Sequence, residues 1–582
     1  MRARSVILFL LLFPAILHAE GYPVVKVIPS SANDALEQKA ISVFRRNVLS
    51  KTDSSARGQQ LEICLKRDPS FAEEAFSISG KGKKYTISAS SSHGLMYGLG
   101  SMLHRSSFDD GKFFPGQVCG ASSPEKAVRG IYFATHFGNY YESAPIDELC
   151  RYVEDLALWG YNSIQVWFDM HQYTGIDDPQ AVRMTGRLAA ILKAGRSVGM
   201  KSGILMLANE GYCNTPEALR ARRVDFTGFY GCEICPSVPG GTELILRNRR
   251  EMMDVFAGLG VPFDTIWIWP YDQGGCTCEN CSPWGGNGFV KLSKLLAREI
   301  RAKFPSARIV MSTWCFDEGS DKGEWKGLAE AFSKETPWVD YIMADSHKEF
   351  PAYLLSNPVP GGLPLINFPE ISMFGHNPWG GYGANPMPVH YSSIYKEAAG
   401  ILQGGFPYSE GLYEDFNKAL YAQMYWDSSL SPEEMTLRYA ASEFSGRYAR
   451  EIADAIFILE KNHGSRVRFI STRNHTPQIV KLPREDSGAE KAFGVLDRIN
   501  GLLPRGIRES QRWQLIYLRS KVDCELRKSG GKFTVGTNDI FLQLVRLSHL
   551  ENAFYRVYPP YIAPYSETGL SDSSRQFDVK EK

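Results

Sequence analysis

Between Ala127 and Phe406 the sequence alternates short apolar runs with longer amphipathic stretches, and it does so eight times. The runs fall at residues 129–135, 163–168, 202–207, 265–269, 308–313, 341–344, 364–368 and 400–406. Most are too short to be helices and are apolar on both faces, as strands covered on both sides must be. Amphipathic helices are expected between them at 146–159, 186–198, 244–259 and 288–304. A strand, a helix and a further strand joined in this way make a crossover between parallel neighbours. Eight such units close into a (β/α)8 barrel, and that is the α/β fold expected for residues 126–425.

The flanks follow other rhythms. Residues 20–125 read as a small α/β layer with a helix at 32–48 and strands at 61–65, 75–79 and 85–89. A glycine-punctuated helix at 92–103 completes it. Past Asn417 the pattern is helical, including 432–444, 449–461 and 509–527, so a helical C-terminal domain is expected over 426–565. The polar stretch 566–582 is expected to fray. At the other end, Arg2 and Arg4, an apolar run at 6–17 and Leu17-His18-Ala19 read as a signal peptide. Cleavage after Ala19 would leave a secreted or periplasmic chain starting near Glu20. No later apolar stretch reaches the roughly 18 residues that suggest a membrane span, so membrane insertion is not expected.

With 65 basic against 64 acidic side chains and a net charge of +1, the chain has no field with which to gather nucleic acid. Aromatic residues at 12% suit rings stacking on sugars, and equally a large aromatic core. Eleven cysteines permit disulfides in an exported protein, although an odd count leaves at least one used otherwise. Seven of them, Cys213, Cys232, Cys235, Cys276, Cys278, Cys281 and Cys315, lie inside the barrel region. The run Cys276-Thr-Cys-Glu-Asn-Cys281 and the pair Cys232-Glu-Ile-Cys235 suit either a structural zinc or a disulfide between two barrel loops. The disulfide is the expectation carried forward, in a structural rather than a catalytic role.

In a (β/α)8 barrel the residues at the C-terminal ends of the strands converge on one pocket. Strand one ends in His136 and Asn139-Tyr140-Tyr141, strand two in Asp169 with His171 and Gln172, and strand three in Asn209-Glu210. Strand four ends in Trp269-Pro-Tyr271-Asp272-Gln273, strand five in Trp314, strand six in Asp345 and His347, and strand seven in Glu370. Strand eight ends in Tyr408-Ser-Glu410, with Glu414-Asp415 beyond. Cleaving a glycosidic bond needs one group to protonate the departing oxygen and another to attack or to activate water. Carboxyls on strands four, six, seven and eight meet that need. Any one alone is better explained as an ion pair or helix cap, but four together at the ends of strands four, six, seven and eight are not.

The segment Ser92-His-Gly-Leu-Met-Tyr-Gly resembles the small α/β domain that precedes the barrel in family 20 β-N-acetylhexosaminidases and in the α-glucuronidases. The order of small domain, barrel and helical domain is similar to the α-glucuronidases in particular. That resemblance implies an acid at strand four and base carboxyls at strands six and seven, which here are Asp272, Asp345 and Glu370. The hexosaminidases carry Asp-Glu at strand four, whereas this chain has Asp272-Gln273, and an amide is no proton donor at neutral pH. The segments Trp269-Pro-Tyr-Asp-Gln-Gly-Gly-Cys and Tyr408-Ser-Glu-Gly-Leu-Tyr-Glu-Asp also resemble barrel-type exo-α-sialidases of mucin-degrading gut bacteria.

What these resemblances imply is an exo-glycosidase acting on oligosaccharide or glycoprotein glycans. Sialic acid is the first expectation, N-acetylhexosamine the second and glucuronic acid the third. Binding would fall to His136, Asn139, Asp169, Asn209, Trp269, Tyr271, Gln273, Trp314, His347, Tyr408, Glu410 and Glu414. No cofactor is called for by chemistry with two carboxyls. A sialic acid carboxylate would need donors, for which Arg183, Arg187, Arg220, Arg222 and Arg223 are candidates, each with a solvated surface as the plainer explanation. The alternative of another class is a non-catalytic carbohydrate-binding barrel, in which Trp269, Tyr271, Trp314 and Trp379 stack on sugar and the carboxyls have no task.

Overall fold

The computed structural model describes residues 20–53, 55, 58–135, 139–222, 231–271, 274–318, 321–346, 349–372, 384–463, 488–530 and 534–549. The leader, His136, Arg223, Asp272, Gln273, His347, Trp379 and the 566–582 tail lie outside the described residues.

The N-terminal layer is a five-stranded sheet with strands β1 (Val24–Ile28), β2 (Gln60–Arg67), β3 (Phe76–Lys81) and β4 (Lys84–Ala89), plus β7 (Gly120–Ser122). Its spatial order is β1-β2-β4-β3-β7, with β1, β2 and β4 parallel and β3 antiparallel to both neighbours. A small hairpin, β5 (Ser107–Asp109) with β6 (Lys112–Phe114), is bridged to Tyr22, just before β1. Period-two burial of Leu61, Ile63 and Leu65 turns one face of β2 toward helices Ala35–Leu49 and Ser92–His104. Ser91 caps the second helix, its hydroxyl accepting from the Gly94 N–H at 3.0 Å. The glycines of that helix let it approach two layers at once. A Cβ at Gly98 would lie 2.3 Å from the Ile87 side chain, and one at Gly100 would lie 1.9 Å from the carbonyl oxygen of Leu158 on the first barrel helix.

The barrel strands are β8 (Val128–Phe133), β9 (Ser163–Trp167), β10 (Lys201–Leu207), β11 (Thr265–Trp269), β12 (Arg308–Ser312), β13 (Tyr341–Asp345), β14 (Leu365–Phe368) and β15 (Leu402–Gly405), with β16 (Tyr408–Ser409) continuing the eighth. Every neighbouring pair is parallel, and both β15 and β16 pair with β8, which closes the sheet into a (β/α)8 TIM barrel. Helices Ile146–Leu158, Pro179–Ser197, Gly241–Gly258, Gly288–Lys303, Glu324–Lys334, Pro388–Ala398 and Asp415–Trp426 surround it. The lumen is filled by Tyr132, Trp167, Leu205, Leu207, Trp267, Trp269, Val310, Met343, Ile366, Phe368 and Phe406. The face of each strand that looks inward is thereby settled, and the alternation carries on to the strand ends.

The chain then runs helical through Pro432–Glu443, Ala449–His463, Ala489–Asn500, Gln511–Lys528 and Val535–Leu547. Ser431 and Glu434 form a reciprocal capping box at the start of the first. Trp513 anchors the bundle with its ring 5.2 Å from that of Phe444. Among the described residues, no helix is long and apolar enough to cross a membrane.

Candidate active site at the mouth of the barrel

The site is built by continuing each inward face beyond its strand. Trp267 and Trp269 point inward on β11, Met343 on β13, Phe368 on β14, and Tyr408 packs against the same cluster. Two residues further along stand Asp345, the last residue of β13 and on the face of Met343, then Glu370 just past β14 and Glu410 just past β16. Asp345 pairs in register with Phe368, and Glu370 bridges to Tyr408, so these carboxyls come from adjacent strands. Asp345 is partly exposed, whereas Glu370 and Glu410 are 5% and 1% exposed. The Tyr408 hydroxyl donates to Glu410 at 2.5 Å.

At the same end of the barrel the lumen is lined with aromatic rings. Trp269 and Phe368 meet at 4.8 Å and 65°, Trp269 and Trp314 at 5.7 Å, and Phe368 and Tyr408 at 5.5 Å. Aromatic rings beside polar strand-end residues combine the apolar and polar groups that small-molecule sites use.

A second polar group closes the opposite side of the mouth. Asp169, at the N-terminal end of the turn Met170–Gln172, contacts His171 Nδ1, which also lies 3.4 Å from Glu210 Oε1. Gln172 Nε2 is 2.9 Å from His171 Nε2. Burial disfavours protonation of this imidazole, but the two carboxylates outweigh it and raise its pKa from 6.5 to about 9. Burial, with the Asp169 charge, pushes Glu210 up to about 7 against the opposing pull of His171. Sequence reading found these residues as separate strand ends but not as one cluster. It also missed Arg249, a buried guanidinium on helix Gly241–Gly258 that holds the Leu207 carbonyl and, at 3.0 Å, that of Glu210.

Folding therefore favours the charged form of His171, whose stabilisation is fully present below about pH 6.5 and is lost as pH rises through about 9. At about 1.4 kcal/mol per pKa unit, the pH-dependent part is on the order of 3–4 kcal/mol. The stability gap between the native chain and His171→Gln should accordingly narrow between pH 6.5 and 9. Urea titrations of both proteins at the two pH values check this, and a gap that does not change with pH would contradict it.

Several residues expected at the mouth are committed elsewhere. Tyr271, after the Pro270 break, is 2% exposed and gives its hydroxyl to Glu324, which also accepts the Gly285 N–H at 2.6 Å. Asn209 clamps two loops, donating to the carbonyls of Ile234 and Gly275 at 3.0 and 2.9 Å and accepting the Gly275 N–H at 2.8 Å. Asn139 caps the turn Tyr140–Ser143 and donates to the Ala134 carbonyl at 2.6 Å. Glu414 accepts from the Ser409 hydroxyl at 2.6 Å and the Gly411 N–H at 2.7 Å. Of the arginines, Arg187 holds the Tyr141 and Ala144 carbonyls, Arg220 holds that of Thr215, and Arg183 and Arg222 are exposed.

The disulfide expectation is also corrected. Cys235, Cys276, Cys278 and Cys281 converge without a disulfide, with Sγ separations of 3.6 Å for Cys235–Cys276 and 3.8 Å for Cys235–Cys278. A disulfide requires about 2.05 Å. Cys232 stands outside this group, its thiol directed at the Gly211 carbonyl at 3.4 Å.

No protein-family model matches the chain, and no curated protein matches it. Solved structures do. A family GH115 4-O-methyl-α-glucuronidase with specificity for decorated arabinogalactans superposes with a TM-score of 0.57 at 12% identity, over 95% of this chain and 79% of the other. A GH138 enzyme targeting pectin rhamnogalacturonan II gives 0.51 at 10% identity, over 95% and 77%. A GH20 β-N-acetylhexosaminidase from Streptomyces coelicolor A3(2) gives 0.50 at 15% identity, over 75% and 94%. At such identities the likeness is one of fold.

Proposed function

We propose that this chain is a glycoside hydrolase that removes a terminal sugar from a glycan, with Asp345 and Glu370 carrying the chemistry together with Asp272. The observation that carries the reading is that Asp345, in register with Phe368, and Glu370, bridged to Tyr408, stand at the ends of adjacent strands of a barrel whose lumen holds Trp269 and Phe368. Two carboxyls around one ring are what glycosidic cleavage uses. A binding barrel would stack the sugar on the same aromatics without needing the carboxyls. The fold's likeness to glycoside hydrolases of three families supports the same reading.

Sialic acid, as found on mucin-type glycans, is the first substrate to offer. Glucuronic acid stands beside it, because the likeness to the α-glucuronidase runs over 95% of the chain. Both bear a carboxylate. N-acetylhexosamine is the alternative, against which Asp272-Gln273 counts.

Aryl glycosides of sialic acid, N-acetylglucosamine, N-acetylgalactosamine and glucuronic acid test the proposal directly. Release of aglycone from one of them is expected. Silence on all four, with retained binding of the corresponding glycans, would replace the enzyme by a binding barrel. We further propose that the chain is exported and begins near Glu20. Intact mass after native expression checks this, and an exported protein that retained Met1 would contradict it.

A further inference from the structure

We infer that Cys235, Cys276, Cys278 and Cys281 form a structural zinc site that staples the loop after β10 to the loop after β11. All four Sγ atoms lie within 4.8 Å of one another. Four sulfurs held about 2.3 Å from one zinc ion in a tetrahedron are spaced at roughly 3.8 Å, and the separations given above are 3.6 and 3.8 Å. Cys276 and Cys281 are wholly buried, Cys235 is 3% exposed, and Cys278 is partly exposed. The sulfurs are too far apart for disulfides and close enough to share one ion. A closed tetrahedral set of four thiolates holding two loops together is the arrangement structural zinc takes.

The surroundings are shaped for the same purpose. The Cys281 and Ser282 N–H groups both donate to the Cys278 carbonyl, at 3.0 and 2.9 Å, which forms the tight turn that brings Cys278 and Cys281 to one centre. Cys235 is fixed by its own N–H to the Leu219 carbonyl at 2.8 Å. The Ser237 hydroxyl lies 2.9 Å from Cys281 Sγ, placed to donate to a thiolate and orient it. The Gly288 N–H, at the start of helix Gly288–Lys303, binds the Cys281 carbonyl at 3.0 Å, so the staple also fixes where that helix begins. Asn209 joins the same two loops from the barrel side. In an oxidising compartment an ion on these sulfurs would also protect them from pairing.

The test needs no substrate, so its outcome is independent of the proposed activity. The full chain, purified without chelator after expression with zinc, is analysed by elemental mass spectrometry. About one zinc per chain is expected, as for a closed four-thiolate site. Titration of this unmodified protein with a mercurial should release the zinc as four thiols react. Cys278→Ser and Cys281→Ser should lose the metal and unfold at lower temperature, while Cys232→Ser, outside the cluster, should keep both. Should the two ligand variants fail to fold, the titration of the native chain still decides. Iron in place of zinc would overturn the metal assignment. A metal-free chain, or one whose peptides show these cysteines joined in disulfides, would overturn the site. Full zinc retention in both ligand variants would place the ion elsewhere and overturn it equally.

Discussion

Asp345→Asn is expected to lower turnover at least about a hundredfold on whichever terminal glycoside the chain accepts, because removing a general acid or base costs about 10² to 10⁴ in rate. Glu370→Gln and Asp272→Asn are expected to do the same. The fold should tolerate the first change well. Asp345 is the final residue of β13, partly exposed and on the inward face it shares with Tyr341 and Met343, so an amide of the same shape disturbs little packing. Glu370 is more enclosed, and its backbone carbonyl is held by the Tyr391 hydroxyl at 3.0 Å, which fixes the residue from the opposite side. A dinitrophenyl glycoside, whose leaving group needs no proton, distinguishes the roles: the variant lacking the acid regains rate on it and the variant lacking the base does not. Circular dichroism alongside initial rates separates lost chemistry from lost fold. Near-native rates in all three amide variants would defeat the assignment and move attention to Asp169, Glu210 and Glu410, the other carboxyls at the mouth.

The barrel was legible because its strands are buried on both faces and so read as apolar runs. Thr265–Trp269 matches its expected bounds at both ends, and the other seven differ by a residue or two. Strand β1 was missed because Val24–Ile28 is an edge strand with Lys26 in its middle, and β16 because two residues after Pro407 make no run at all. The site was legible as positions but not as directions. Counting by twos from Met343 and Phe368 reaches Asp345 and Glu370, as period two demands. The same count from Trp269 reaches Tyr271, yet its phenol turns to a glutamate more than fifty residues on, so position past the strand end does not by itself give direction. Asn209 and the Asp169–His171–Glu210 cluster share this property. Each depends on partners brought close only by barrel closure, and local pattern carries no record of them.

Asp415→Ala is expected to cost about 3–5 kcal/mol, the penalty for leaving a buried partner charge uncompensated. Asp415 begins the helix after strand eight and receives the hydroxyls of Tyr152 and Tyr439 at 2.8 and 2.9 Å and Arg512 Nε at 2.9 Å. Arg512 also reaches Glu443 at 3.5 Å, and Glu443 meets Lys51 of the N-terminal layer at 2.8 Å. One buried chain of charges thus ties the small layer, the barrel and the helical region together. Urea denaturation should show Asp415→Ala far less stable than the native chain, with Asp415→Ala/Arg512→Met recovering part of the loss because the stranded guanidinium is gone. Two singly destabilising changes that simply add would show that the charges are not coupled. Acid provides an independent reading of the same network. Burial alone would raise the Glu443 pKa, but Arg512 and Lys51 outweigh it and hold it at about 2, below its ordinary 4.5. Its contribution is therefore present above about pH 4.5 and is lost as pH falls toward 2, so the stability gap between the native chain and Glu443→Gln should close over that window. A gap of constant size from pH 6 down to 3 would mean that Glu443 makes no ion pair in the folded chain.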